Sequence, residues 1–145
     1  LTLRTPCHGD VNFDAAVDLA PDGTGGWVAG TRRGYGAGFD EAVARVGAGG
    51  DTAWYLTDRQ GSVRAVADDA GVVLGAATYD AWGNRTVVAG AGLDEVAYTG
   101  REWDETLGLL YVRRRLYDAG AGRFLGEDPV GFAAGDPNLH RYVGN

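Results

Sequence analysis

Four oxygen-bearing side chains near the amino terminus are the first candidates for chemistry. Asp10, Asn12, Asp14 and Asp18 stand at the first, third, fifth and ninth places of a calcium loop, with Val17 at its apolar place. Oxygen ligands at alternate positions let a curling loop surround a hard cation. Two departures oppose that use, because Ala15 replaces the turn glycine and Pro21 replaces the closing acidic residue, leaving Asp22 one place late. A weakened calcium site and a solvated acidic loop both remain open, and no other cofactor is implied. Cys7 beside His8 offers a nucleophile or ligand pair, but adjacent side chains rarely converge on one atom, and His140 is the only other histidine. Ser62 is the sole serine and lacks a nucleophile-elbow context. Arg113 to Arg115, set among tyrosines, could bind an anion; pairing with carboxylates and packing on aromatic faces is the alternative.

Composition narrows the partners. The 145 residues carry a net charge of −7, and all 13 cationic side chains are arginine. Such an acidic chain is poorly suited to a nucleic-acid backbone, which selects basic patches. One cysteine can form neither an internal disulfide nor a zinc site. No apolar run reaches the length of a transmembrane helix. The sequence starts at Leu1 without a signal-peptide pattern, so it reads as a piece of a longer protein. Glycine, at 25 residues, is in clear excess without the collagen period, which calls for many tight turns.

The elements that would position these groups divide at about residue 50. Residues 1–50 are rich in Gly, Ala and Asp with short apolar runs, and are expected to be loop-rich and irregular. Within them, Phe39, Val43 and Val46 lie at helical spacing, so a short helix over 39–46 competes. From Asp51 the texture becomes short β-type runs separated by turn residues, the spacing of hairpins. Trp54 to Leu56, Val63 to Val66, Val72 to Leu74, Thr78 to Tyr79 and Arg85 to Val88 are the runs. Asp58 to Ser62, Asp68 to Gly71 and Asp80 to Asn84 are the turns. Leu109 to Tyr117 alternates as one strand with an apolar face and an arginine–tyrosine face, before a turn at Asp118 to Gly122 and a return at Arg123 to Leu125.

Specific blocks carry a resemblance. Trp54 to Val66 (WYLTDRQGSVRAV), Tyr79 to Thr86 (YDAWGNRT) and Tyr98 to Asp104 (YTGREWD) are followed by Gly108 to Tyr117 (GLLYVRRRLY) and Gly122 to Phe124 (GRF). Asp128 to Gly131 (DPVG) and Gly135 to Asn145 (GDPNLHRYVGN) complete the series. In this order they resemble the core segment of RHS/YD-repeat proteins over residues 51–145. Departures are Ala119, where the family has proline, and His140, where it has tyrosine. The stretch 9–22 is similar to a degenerate dockerin-type half-repeat.

The resemblance implies a mostly β fold, with antiparallel β-hairpins of a YD-repeat strip forming part of a coiled β-shell and an irregular N-terminal third. It also implies a secreted or surface-exposed bacterial protein whose shell closes around a downstream effector, with neighbouring YD-repeat strands and that effector as partners. In many members two Asp-Pro-x-Gly motifs form an aspartyl autoprotease. Only the first is present, so Asp128 would be a catalytic carboxylate in the intact parent, while the fragment alone lacks its partner; an ordinary turn aspartate is the alternative. A module binding cell-surface glycans or proteins through Trp54, Trp82 and Trp103 is the second functional reading. For the calcium loop, the missing closing carboxylate predicts no calorimetric heat below millimolar calcium. Saturable heat in the micromolar range would show an intact site.

Overall fold

A computed structural model describes the backbone of residues 3–6 and 15–143, with side chains from residue 17 onward. Eight strands lie in sequence order in one antiparallel sheet: β1 (Leu3–Pro6), β2 (Ala15–Pro21), β3 (Trp27–Tyr35), β4 (Ala42–Val46), β5 (Thr52–Thr57), β6 (Val63–Asp68), β7 (Val73–Tyr79) and β8 (Arg85–Gly90). A second sheet holds β9 (Glu102–Asp104), β10 (Leu109–Val112), β11 (Arg115–Asp118) and β12 (Arg123–Phe124), ordered β12-β11-β10-β9. Short 3-10 turns at Tyr98–Gly100 and Gly131–Ala134 join the rest.

One turn chemistry makes this simple meander. Asp58 accepts the amides of Gln60 and Ser62 through one carboxylate oxygen at 2.9 and 3.1 Å. Asp68 does the same for Ala70 and Val72, and Asp80 for Trp82 and Asn84, all at 2.8–2.9 Å. Three residues after each aspartate stands a glycine, Gly61, Gly71 or Gly83, with φ between +79° and +94°. A side chain there would resist the left-handed backbone that closes the hairpin. In all three turns the glycine N–H donates to the aspartate carbonyl.

The segment before residue 51, expected to be irregular, contains strands because Asp22 repeats the device: it accepts Thr24 and Gly26 amides, both at 2.8 Å, and joins β2 to β3. The short helix weighed for 39–46 is instead β4, hydrogen-bonded to β3 on one side and β5 on the other. Phe39 and Val43 stay exposed, so their helical spacing marks no buried stripe.

Leu109 to Tyr117 is also corrected, from one strand to a hairpin. Arg113 turns the chain with φ +57°, and the Arg114 N–H donates to the Val112 carbonyl at 2.7 Å. Leu110 then sits opposite Tyr117, so both are buried on one side, whereas a continuous strand would have sent them to opposite faces.

Two apolar clusters result. Ala42, Ala53, Tyr55, Val63, Val66 and Val96 form one on the large sheet, and Ala97, Tyr98, Leu110, Tyr117, Ala119 and Phe124 form the other around the small sheet. Residues 91–97 run from β8 across the large sheet, close enough at Gly75 that a Cβ would lie 2.7 Å from the Leu93 nitrogen. Gly100 is equally confined, with φ +71° and space for a Cβ only 2.3 Å from the Asp40 carbonyl oxygen. Gly100→Ala is therefore expected to lower the unfolding free energy by about 2 kcal/mol or more in urea titrations. An unchanged midpoint would contradict this packing.

Candidate functional site

The carboxyl-terminal closure begins at the turn that follows Tyr79. Asp80 holds the Trp82 and Asn84 amides, and its second oxygen accepts the Asn84 side-chain N–H at 2.8 Å. These hydrogen bonds, foremost that from the Asn84 side chain, keep the Asp80 carboxyl below its usual range. The fixed turn presents three carbonyl and amide groups to the small sheet. Tyr98 donates its hydroxyl to Ala81 O at 3.0 Å, Tyr117 donates to Trp82 O at 2.8 Å, and the Asn84 amide donates to Ala119 O at 3.1 Å. Gly83 admits the Tyr98 ring, which a Cβ would meet at 2.5 Å. The YD turn is thus a socket for the second sheet.

Beyond it lies an aromatic wall. Tyr117 stacks on Tyr142 with centroids 4.1 Å apart, and Phe124 meets both rings at 5.6–5.7 Å. Arg115 lies over Phe124 at 3.6 Å, pairs with Asp128 at 3.2 Å and donates to Leu139 O at 3.3 Å. Asp128 also accepts the Val130 amide at 2.8 Å, and its own N–H donates to Leu139 O at 2.9 Å. His140 places Nδ1 3.1 Å from Phe124 O. The closing segment is therefore bound to the small sheet at Phe124 and Arg115, and to the turn at Asp128.

That arrangement places Asp128, the carboxylate singled out for autoproteolysis, as an anchored turn aspartate with both oxygens engaged. Asp136, in the second Asp-Pro, pairs separately with Arg141 at 3.2 Å. Among the described residues no hydrogen bond links Asp128 to a second carboxylate. A proton-sharing pair, which needs two close carboxyl groups, is not assembled by these residues.

Asp10, Asn12 and Asp14, with Cys7 and His8, lie outside the described residues. Asp18, the remaining calcium candidate, is in β2 with its carboxylate 2.9 Å from the buried Arg33. The arginine run behaves as pairing and packing groups: Arg113 faces Asp40 and the Phe39 ring, and Arg115 faces Asp128 and Phe124. Trp54 is half exposed and bonded through Nε1 to Asp69, Trp82 lies against Gly122, and Trp103 packs under Arg85.

Two constellations escaped sequence reasoning. Asp40, buried with φ +54°, is clamped by Arg101 at 2.5 Å and Arg113 at 3.5 Å. Asp94 binds Arg33, Arg45 and Tyr55 from three strands. Neither has a local spacing signal, because partners are separated by 39 to 73 positions.

The family model described as Teneurin YD-shell matches residues 48–137. This chain belongs to the YD-shell family. Among curated relatives, it is 37% identical over 96 residues to the double-stranded DNA deaminase toxin A of Burkholderia cenocepacia, covering 63% of this chain and 7% of that protein. It is 35% identical over 88 residues to the tRNA nuclease WapA of Bacillus subtilis, covering 57% of this chain and 4% of WapA. A crystal structure of TcdB2-TccC3-Cdc42 superposes with a TM-score of 0.69 at 23% identity, over 88% of this chain and 6% of that one, and shows the shared fold. The chain thus spans a small fraction of these YD-shell relatives, and RHS-type polymorphic toxins are among them.

Buried Tyr117 and half-buried Tyr79, at the YD-shell turn, give a pH prediction. Burial raises Tyr79 and Tyr117 from 10 to about 12. The folded state favours their neutral form, so their contribution is full below the unfolded value of about 10 and is lost as pH rises through about 12. Phenolate absorbance should show a class of tyrosines ionising late, with stability falling above about pH 10. Uniform titration at the ordinary value would contradict the burial.

Proposed function

We propose that this chain is the end segment of a polymorphic-toxin YD shell, where the strip of hairpins stops and the wall closes around a downstream effector. The observation that carries the reading is the change of direction after β8. Eight strands follow one another in order; then residues 91–97 cross the sheet and the chain builds a second, docked sheet on the socket of the Asp80 turn. A strip intended only to extend would continue with another hairpin. A strip that ends needs an element that leaves the sheet and fastens to it.

Secretion or surface display belongs to the same proposal, supported by the toxin relatives. Processing is its finer part. In the intact parent, Asp128 would act only if a second carboxylate replaced or joined Arg115 at its side, one carboxyl holding a proton while the other activates water. The structure of Asp128 here is that of an anchor.

Limited proteolysis of the full-length parent tests the shell reading. The downstream domain should be cut much more slowly than the same domain alone, and equal rates would overturn enclosure. Asp128→Asn in that parent should abolish self-cleavage if the carboxylate is catalytic. Unaltered cleavage would leave it the structural role alone.

A further inference from the structure

Both edges of the second sheet are covered by the chain's own backbone. The Trp103 N–H donates to Glu95 O at 2.6 Å and Val96 bridges Glu102, which closes β9; the Phe124 N–H donates to His140 O at 2.9 Å, which closes β12. β8, at the end of the large sheet, has no such cover. Among the described residues, Arg85 to Gly90 make no main-chain hydrogen bond outside the ladder with β7. Every residue of β8 after Arg85 is exposed, Val87 at 53% and Val88 at 58%.

The Asp80 turn decides which of these residues face off the edge. Its first N–H donates to Asn84 O at 3.3 Å, so Asp80 and Asn84 are a hydrogen-bonded pair of the antiparallel ladder. Such pairs alternate with pairs whose N–H and C=O groups point away from each other. From the turn outward, Tyr79 and Arg85 point away, Thr78 and Thr86 point inward, and Ala77 and Val87 point away. Arg85 and Val87 therefore direct main-chain donors and acceptors off the open side of β8.

Edge strands are guarded by charge or proline. Here the guard is withdrawn. Arg85, the one charged residue of β8, folds its side chain back over the Trp103 ring at 5.1 Å and towards Asp94 O and Glu105, and is only 8% exposed. Thr86, Val87 and Val88 are β-branched and suit a strand. β1, at the opposite end of the sheet, carries Pro6, which has no N–H to give a ladder.

We propose that β8 is a self-pairing edge, where two copies of this chain join their large sheets about a two-fold axis through Thr86. With Thr86 opposite the Thr86 of the second copy, Arg85 of each copy falls opposite Val87 of the other. Both of those pairs point outward, so each exchanges N–H and C=O in both directions. The central pair brings two threonine side chains together, a favourable cross-strand match. No like charges are opposed, because each Arg85 meets a valine. The same patch serves on both copies, so the assembly closes at two. One strand pair buries little area, and the dimer is accordingly weak. This surface stands whether or not the parent encloses an effector.

Sedimentation equilibrium of the whole chain tests the pairing, at about 0.15 M salt so that the net charge of −7 on each copy is screened. The average mass should climb towards twice that of one chain as concentration rises to about 1 mM, the weak end of specific association, and stop there. Val87→Pro removes an outward donor and leaves the β7 ladder intact, so it should stay monomeric with an unchanged circular dichroism spectrum. Val87→Lys keeps the main chain and sets a lysine opposite each Arg85, which should weaken association by about tenfold. A chain that is monomeric throughout would leave the edge to a strand of another protein and overturn the proposal. So would a mass that grows past two copies, or a dimer indifferent to Val87→Lys.

Discussion

The structure rests on an aspartate carboxylate that binds the amides of its own turn. At Asp22, Asp58, Asp68 and Asp80 the carboxylate satisfies two backbone donors that the reversal would otherwise leave to solvent. A glycine in left-handed conformation then returns the chain. Because strand side chains alternate, a turn of fixed length also fixes which face each residue takes. Register, and with it the burial of Tyr55 and Val66, follows from local chemistry at the hairpin ends.

The same turn acquires a second use at Asp80. Its carbonyls at Ala81 and Trp82 accept the hydroxyls of Tyr98 from the 3-10 turn and of Tyr117 from the second sheet, so a repeat element becomes a docking site without any new backbone geometry. Buried hydroxyls cost free energy unless paired, and these pairs let aromatic rings enter the junction while keeping their polar ends satisfied. The ion pairs at Asp94 and Asp40 act differently. Removing ions from water offsets much of their attraction. They fix where residues 91–97 and the loop before β4 can lie, and contribute less to net stability than to position.

Much of this was legible in the residues. Asp-x-x-Gly spacing located three hairpin turns after position 57, and the ordered blocks located the family. Residues 22–26 carry the same signal, yet the surrounding Gly and Ala obscured it, and residues 1–50 read as loops with one or two weak elements rather than four strands. Alternation misled at Leu109 to Tyr117, since a two-residue turn inside an arginine run leaves the period almost intact. Asp40 and Asp94 were invisible for another reason: their arginine partners are chosen by the folding of distant strands onto one another, which no local pattern records. Asp128 was legible as a motif. Its Arg115 partner, which decides what the carboxylate does in this chain, was not.

These features describe a strip that is ended and capped using the vocabulary of its own repeats, which fits membership of the YD-shell family. The pairing of successive hairpins and the reversal at Arg113 underlie all of them. Cross-strand nuclear Overhauser contacts measure this pairing directly. Contacts are expected between Ala65 and Ala76, between Ala76 and Ala89, and between Tyr111 and Leu116. Helical contacts running along residues 109–117, with those cross-strand signals missing, would contradict it.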